Sequence, residues 1–258
     1  MTRLLTPAPT ANVLWLDEVD STNSLALRLL TALLADEEAR FADTMIVAGR
    51  QSAGRGRGDR AWQSPLGGLY ATWLGWLPAA SLALVPQAAG VAIAEAVEAC
   101  LPGIKVGLKW PNDLQVESRK LGGVLCHART EGDAAAVVVG FGVNVAVAPE
   151  LAPGDATVPV ALSSLGYGDA AAALWTIVGA FLTRFSVTLA DPASTRQAWL
   201  GRCVHRRGDR LRIEVGGSVR EGRFVAVNES GELELAINGA VHRFSVADTV
   251  TAVGDAGG

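Results

Sequence analysis

Apolar positions recur in this chain with two periods, and the change from one to the other divides it. Residues 14–19 (LWLDEV) alternate as a short strand, and Asp20, Ser21, Thr22 and Asn23 then supply capping side chains. In SLALRLLTALLADEEARF the leucines fall at helical spacing, which predicts an amphipathic helix over residues 24–41. Residues 44–48 (TMIVA) read as a buried strand that leads into a glycine–arginine loop, and 68–76 (GLYATWLGW) as a β-branched and aromatic strand. Small and apolar residues over 86–100 predict a long helix against a sheet. Residues 106–110, 113–117 and 120–127 read as short strands, 134–145 as one more buried strand, 149–159 as a loop and 170–184 as a helix.

Asp191–Pro192 reads as a turn, and beyond it the period shortens. Over residues 199–250 the segments DRLRIEV, VREGRFVAVN, LELAIN and AVHRFSV alternate, with Gly216–Gly217 and Asn238–Gly239 as hairpin turns between them. This predicts an α+β protein with a small five-stranded barrel of about 50 residues appended. The expected domains are residues 1–195 and 196–258. No internal repeat is visible, and about a dozen residues before the first strand are too few for a helix-turn-helix.

Composition narrows the classes. Half of the residues are hydrophobic and 19% charged, ordinary for a soluble globular chain, and the net charge of −4 argues against a polyanion as main partner. Cys100, Cys126 and Cys203 are odd in number and widely spaced, so reduced thiols are expected. His127, His205 and His242 form no metal-ligand pattern. The first twenty residues lack an apolar core and cleavage site, and the apolar stretches near Trp175 and after Leu82 fall short of a span. A cytoplasmic protein with no membrane partner is the expectation.

Charge type carries more than net charge. Against nineteen arginines the chain has three lysines, Lys105, Lys109 and Lys120, all within sixteen residues. A lysine kept under that bias marks a place suited to a compact ammonium rather than a planar guanidinium. Upstream, GRQSAGRGRGDRAW offers glycine backbone that can approach an anion, with Arg55 and Arg57 as bidentate donors. In KWPNDL, Pro111 fixes a turn that presents Asn112 and Asp113 beside Lys109. That trio suits a nucleotide's phosphates with a hydrated magnesium, which takes one or two carboxylates. Alone, the glycine–arginine loop is equally a solvated surface loop or a strand-binding segment.

Together GRQSAGRGRGDRAW, KWPNDL, RKLGGVL and VGFGVN, in this order, resemble the biotin protein ligases, and the DSTN at residues 20–23 matches the family's biotin contact. The likeness runs from about Trp15 into the C-terminal segment. It implies a class II synthetase-like catalytic domain on a mixed sheet with an SH3-like C-terminal domain. It further implies that Ser21, Thr22, Asn23 and Gln51 line a biotin pocket, that Arg55, Gly56 and Arg57 close over biotin and the adenylate phosphate, and that Lys120 meets both reacting groups. Trp62, Lys109, Asn112, Asp113 and Asn144 would lie on the nucleotide side. The implied substrates are biotin and ATP with Mg2+, and the implied partner is the biotin carboxyl carrier protein of acetyl-CoA carboxylase. Asp59 departs from the family's basic loop and is expected to point outward. A DNA-binding region is not recognised, so no DNA partner is expected, and a homodimer is left open. A lipoate-type ligase is the close rival; a nucleic-acid module and a silent sensor are the distant ones.

Overall fold

The computed structural model describes residues 11–35, 41–58, 60–150 and 157–253. Seven strands form one mixed sheet: β1 (Asn12–Val19), β2 (Thr44–Gln51), β3 (Leu69–Pro78), β4 (Gly107–Lys109), β5 (Asp113–Val116), β6 (Arg119–Glu131) and β7 (Ala134–Val143). Their order is β1-β2-β3-β7-β6-β5-β4, with β1 and β2 parallel and the other neighbours antiparallel. Helix α1 (Thr22–Leu34) makes the β1–β2 crossover, and Ser21 caps it by accepting from the Ser24 N–H at 3.3 Å. The expected continuation of this helix over residues 36–40, like Asp59, lies outside the described residues.

The period-2 rule explains the two faces of the sheet. On β7, Val137, Val139, Phe141 and Val143 point into the large core beneath α2 (Val85–Cys100) and α3 (Ala170–Ala190). Ala136 and Val138 point the other way and pack with Ile46 and Leu74 against Ala26 and Leu30 of α1. Phe181 of α3 anchors the larger core, its ring 4.7 Å from Phe141 and 5.0 Å from Phe185. Both α3 and α2 with its 3₁₀ lead-in are long and apolar enough to cross a membrane by composition, α3 being longer than its sequence suggested. They lie on the sheet, α2 with 67% of its most apolar stretch buried and α3 with 28%.

One expectation is overturned. Asp191–Pro192 starts a helix, α4 (Pro192–Arg202), instead of making a turn. Asp191 accepts from the Ser194 N–H at 3.1 Å, and proline suits the first helical position, whose N–H has no partner in any case. Trp199, read as the first residue of the alternating region, is a buried helical residue, and α4 runs across residues 195–196.

After α4 come β8 (Arg210–Val215), β9 (Ser218–Val227), β10 (Leu233–Ile237), β11 (Ala240–Phe244) and β12 (Thr249–Ala252). They form the expected five strands as an antiparallel sheet ordered β11-β10-β9-β8-β12. Asn238–Gly239 lies in the left-handed region at both residues (φ 52° and 83°), as a two-residue hairpin turn requires. Leu211, Ile213, Phe224 and Leu235 of this sheet share one apolar cluster with Trp199, Leu108 and α2, so both sheets rest on a continuous core.

Candidate active site

A cavity of about 500 Å³ opens on the α1 face of the large sheet and reaches the small one. Every residue singled out from the sequence as a binding or catalytic candidate lines it: Ser21, Thr22, Asn23, Gln51, Arg55, Gly56, Arg57, Trp62, Lys109, Asn112, Asp113, Lys120 and Asn144. Lys105 does not; it is exposed and borders a separate groove of about 660 Å³ beside α4.

One end of the cavity is polar and rigid. Gln51 Oε1 accepts from the Thr22 N–H (2.8 Å) and Oγ1 (3.2 Å), while its Nε2 donates to Ser64 Oγ at 2.7 Å. Thr72 Oγ1 donates to Thr22 Oγ1 at 2.9 Å. Asn23 is 5% exposed, and its Oδ1 is buried without a hydrogen-bond partner among the described residues. Such an atom is costly to leave unpaired, so a donor group entering this end of the cavity meets a ready acceptor. Outside it, Arg28 grips Asp20 through two contacts of 2.6 and 2.9 Å and holds that carboxyl down at about 2.

The other end is cationic. Lys109 closes β4 and Asp113 opens β5 as a cross-strand pair, with Trp110, Pro111 and Asn112 as the loop between them. Lys120 Nζ lies 2.8 Å from Asp113 Oδ1 and 5.2 Å from the centre of the Trp62 ring. The Lys120 backbone is held between Val158 O (2.7 Å) and the Val160 N–H (2.9 Å). Burial pushes the Lys109 ammonium below its usual range, opposed by Asp113 and reinforced by Lys120 and Arg60. Arg55, Arg57, Arg60, Lys109 and Lys120 outnumber Asp113, Glu150 and Asp248 in the cavity wall, which suits an anionic ligand.

Arg57 bridges the cavity. Its Nη1 donates to Asn112 Oδ1 at 3.4 Å and its Nη2 to the Ala247 carbonyl in the chain entering β12. Burial lowers this guanidinium's pKa, with Asp113 and Asp248 opposing the shift. The loop itself is folded by Gly56 N–H to Arg60 O (2.8 Å) and an Arg55–Ala61 bridge. Asn144 serves the frame: its Nδ2 donates to Lys120 O (3.3 Å) and Val160 O (3.1 Å). The sequence reading missed Thr72, Ser64, Asp248, Thr249 and Val250. Thr72 sits in a strand that reads as pure core, and nothing local marks residues 248–250 as reaching a distant site.

The fold and the site define a protein with one cavity whose wall offers an acceptor at one end and cations at the other, and among the described residues no histidine or cysteine lines it. The family model described as biotin/lipoate A/B protein ligase matches residues 19–144, and a biotin--[acetyl-CoA-carboxylase] ligase of Paracoccus denitrificans is 33% identical over 85% of this chain and 92% of its own. This chain belongs to the biotin/lipoate protein ligase family. Among solved structures, it is similar to the biotin protein ligase of Aquifex aeolicus in complex with biotin and ATP (TM-score 0.69, 26% identity, covering 94% of this chain and 99% of that one). It is similar also to the Leishmania major enzyme in complex with biotinyl-5-AMP (TM-score 0.58, 26% identity, covering 91% and 99%).

Proposed function

We propose that this protein is a biotin protein ligase that joins biotin to AMP and then to one lysine of a carrier. The observation that carries the reading is the pairing of the unpartnered Asn23 Oδ1 with the Lys109–Lys120–Arg57 cluster at the opposite end of one cavity. A ureido ring has N–H donors for Asn23, whereas a dithiolane ring has none. A site built to receive a donor discriminates strongly against a ligand that lacks it, so biotin is favoured over lipoate.

In the first step a biotin carboxylate oxygen forms a bond to the α-phosphorus of ATP, and the bond to pyrophosphate breaks. Two anions must approach each other, so the barrier is lowered by placement and by fixed positive charge. Lys120 stands between the two ends and exchanges Asp113 for the incoming anions, while Lys109 and Arg57 hold phosphate oxygens. Magnesium would come with ATP as part of that substrate; Asp113 would offer it a carboxylate, and the ion would neutralise triphosphate charge. In the second step a neutral carrier amine attacks the acyl carbon, AMP leaves, and the amine loses its proton. The loop over residues 54–60 shields the anhydride from water between the steps. The carrier is a biotin carboxyl carrier domain, and the reaction belongs to the cytoplasm, where ATP and carrier meet.

Incubating the purified protein with biotin, magnesium-ATP and a carrier domain tests the reading. One added biotin per carrier, with stoichiometric pyrophosphate, is expected. Lipoate accepted in place of biotin, or no modification, overturns it.

A further inference from the structure

Strand β7 changes character where the cavity begins. On its α1-facing side it runs Ala136, Val138, Gly140, Gly142 at every second position, and the first two pack under α1. The next two carry no side chain. Glycine inside a strand weakens it, and its usual compensation is the close approach of another group. Both glycines have such a group, and it is a different one in each case. A Cβ on Gly140 would stand 2.7 Å from Asn23 Nδ2 and 3.3 Å from Thr72 Oγ1. A Cβ on Gly142 would stand 2.6, 2.7 and 2.9 Å from Nε1, Cε2 and Cζ2 of Trp62. No real methyl occupies such positions, and an indole cannot bend away. It has to leave by rotating the whole side chain.

We propose that Gly140 and Gly142 are positioning residues that divide the site between its two substrates. Gly140 seats the Asn23 amide and so sets the biotin end; Gly142 seats the Trp62 indole and so sets the nucleotide end. The assignment rests on the ligase reading above. At the second seat, the ring face lies under Lys120 Nζ, and the ring edge reaches Gly123 of β6, where an added Cβ would be 3.6 Å from Cζ3. A displaced indole would therefore take with it the surface on which the lysine ammonium rests; Lys120 stands between the two ends, but biotin keeps its ring contacts beside Asn23 and Thr22, whereas the phosphates lose a cation placed for them. At the first seat, rotation of one amide is the smaller change, but it re-aims Oδ1, the atom awaiting a ring donor. The two residues lie on one strand, yet their missing methyl groups serve opposite ends of the cavity.

The test is a comparison of Gly140→Ala, Gly142→Ala and the parent protein, with biotin and ATP titrated separately by calorimetry and KM determined for each. Gly142→Ala is expected to raise the ATP KM about tenfold or more, the cost of roughly one charge-assisted contact, and to leave biotin affinity within about twofold. Gly140→Ala is expected to weaken biotin severalfold and to leave ATP unchanged. In a Trp62→Ala background Gly142→Ala should add little further cost, because the colliding ring is gone. Should Gly142→Ala not fold, Trp62→Gly carries the same arm, with ATP affinity lost and biotin affinity kept. Equal weakening of both substrates by either glycine variant, or unchanged ATP affinity in Trp62→Gly, overturns the division while the ligase reading stands. A parent protein that binds neither substrate overturns both.

Discussion

Lys120 combines three constraints that rarely meet on one side chain. Its backbone is clamped on both sides by Val158 and Val160, its ammonium rests over an indole, and its partner Asp113 holds it at 2.8 Å. The clamp fixes where the side chain starts and the ion pair fixes where it waits. A guanidinium is longer and planar and would place its charge elsewhere, so Lys120→Arg should fail nearly as badly as Lys120→Ala, by about a hundredfold. Lys105→Arg should be close to silent, because that side chain is exposed and outside the cavity. Single-turnover adenylate formation at saturating biotin and ATP measures all three. A Lys120→Arg enzyme at the parent rate would show that charge alone suffices. The chemistry-bearing residues were readable in the sequence because each stands in a short motif with its own turn or loop chemistry. Thr72 and the Ala247 carbonyl were not, since one hides in a core strand and the other contributes only backbone.

Helix α4 shows why the boundary between the two textures was misread. Aspartate followed by proline marks a turn and a helix start equally well; what decides here is burial of Thr195 and Trp199 against the core, which no local signal carries. The longer strands and α2 were predicted because their apolar residues recur regularly, and β4 and β5 because turn residues bound them. The segment after α4 holds His205, 6% exposed, its ring 5.6 Å from Phe224 and its Nε2 without a hydrogen-bond partner among the described residues. Burial, reinforced by Lys109 and opposed by Asp209, lowers this imidazole from 6.5 to about 4. The unfolded chain therefore binds the proton more readily. Stability from the neutral ring is complete above pH 6.5 and is lost as pH falls towards about 4. The loss is at most about 3 kcal/mol. Thermal melts from about pH 7 to about pH 5 should fall more steeply for the parent than for His205→Phe. Parallel slopes would remove the histidine from the account.

The two sheets meet through specific bonds as well as a shared core. Trp110 of the β4–β5 loop donates to Gly231 O at 2.9 Å, and Arg57 donates to Ala247 O. Both donors belong to site motifs of the large sheet and both acceptors to the small one. The protein should accordingly unfold in one calorimetric transition. Biotin with ATP should raise its midpoint, by about 3 kcal/mol of stabilisation at a hundredfold excess over Kd. Two resolved transitions, with ligand moving only the first, would show that the small sheet stands apart. The placement of Asp248, Thr249 and Val250 in the cavity wall has a consequence for synthesis. Thr22 and Asn23 are made about 225 residues before Asp248, Thr249 and Val250, which share the cavity wall with them. A nascent chain that carries these motifs but has not yet made β12 therefore has a cavity still open where Asp248, Thr249 and Val250 will close it.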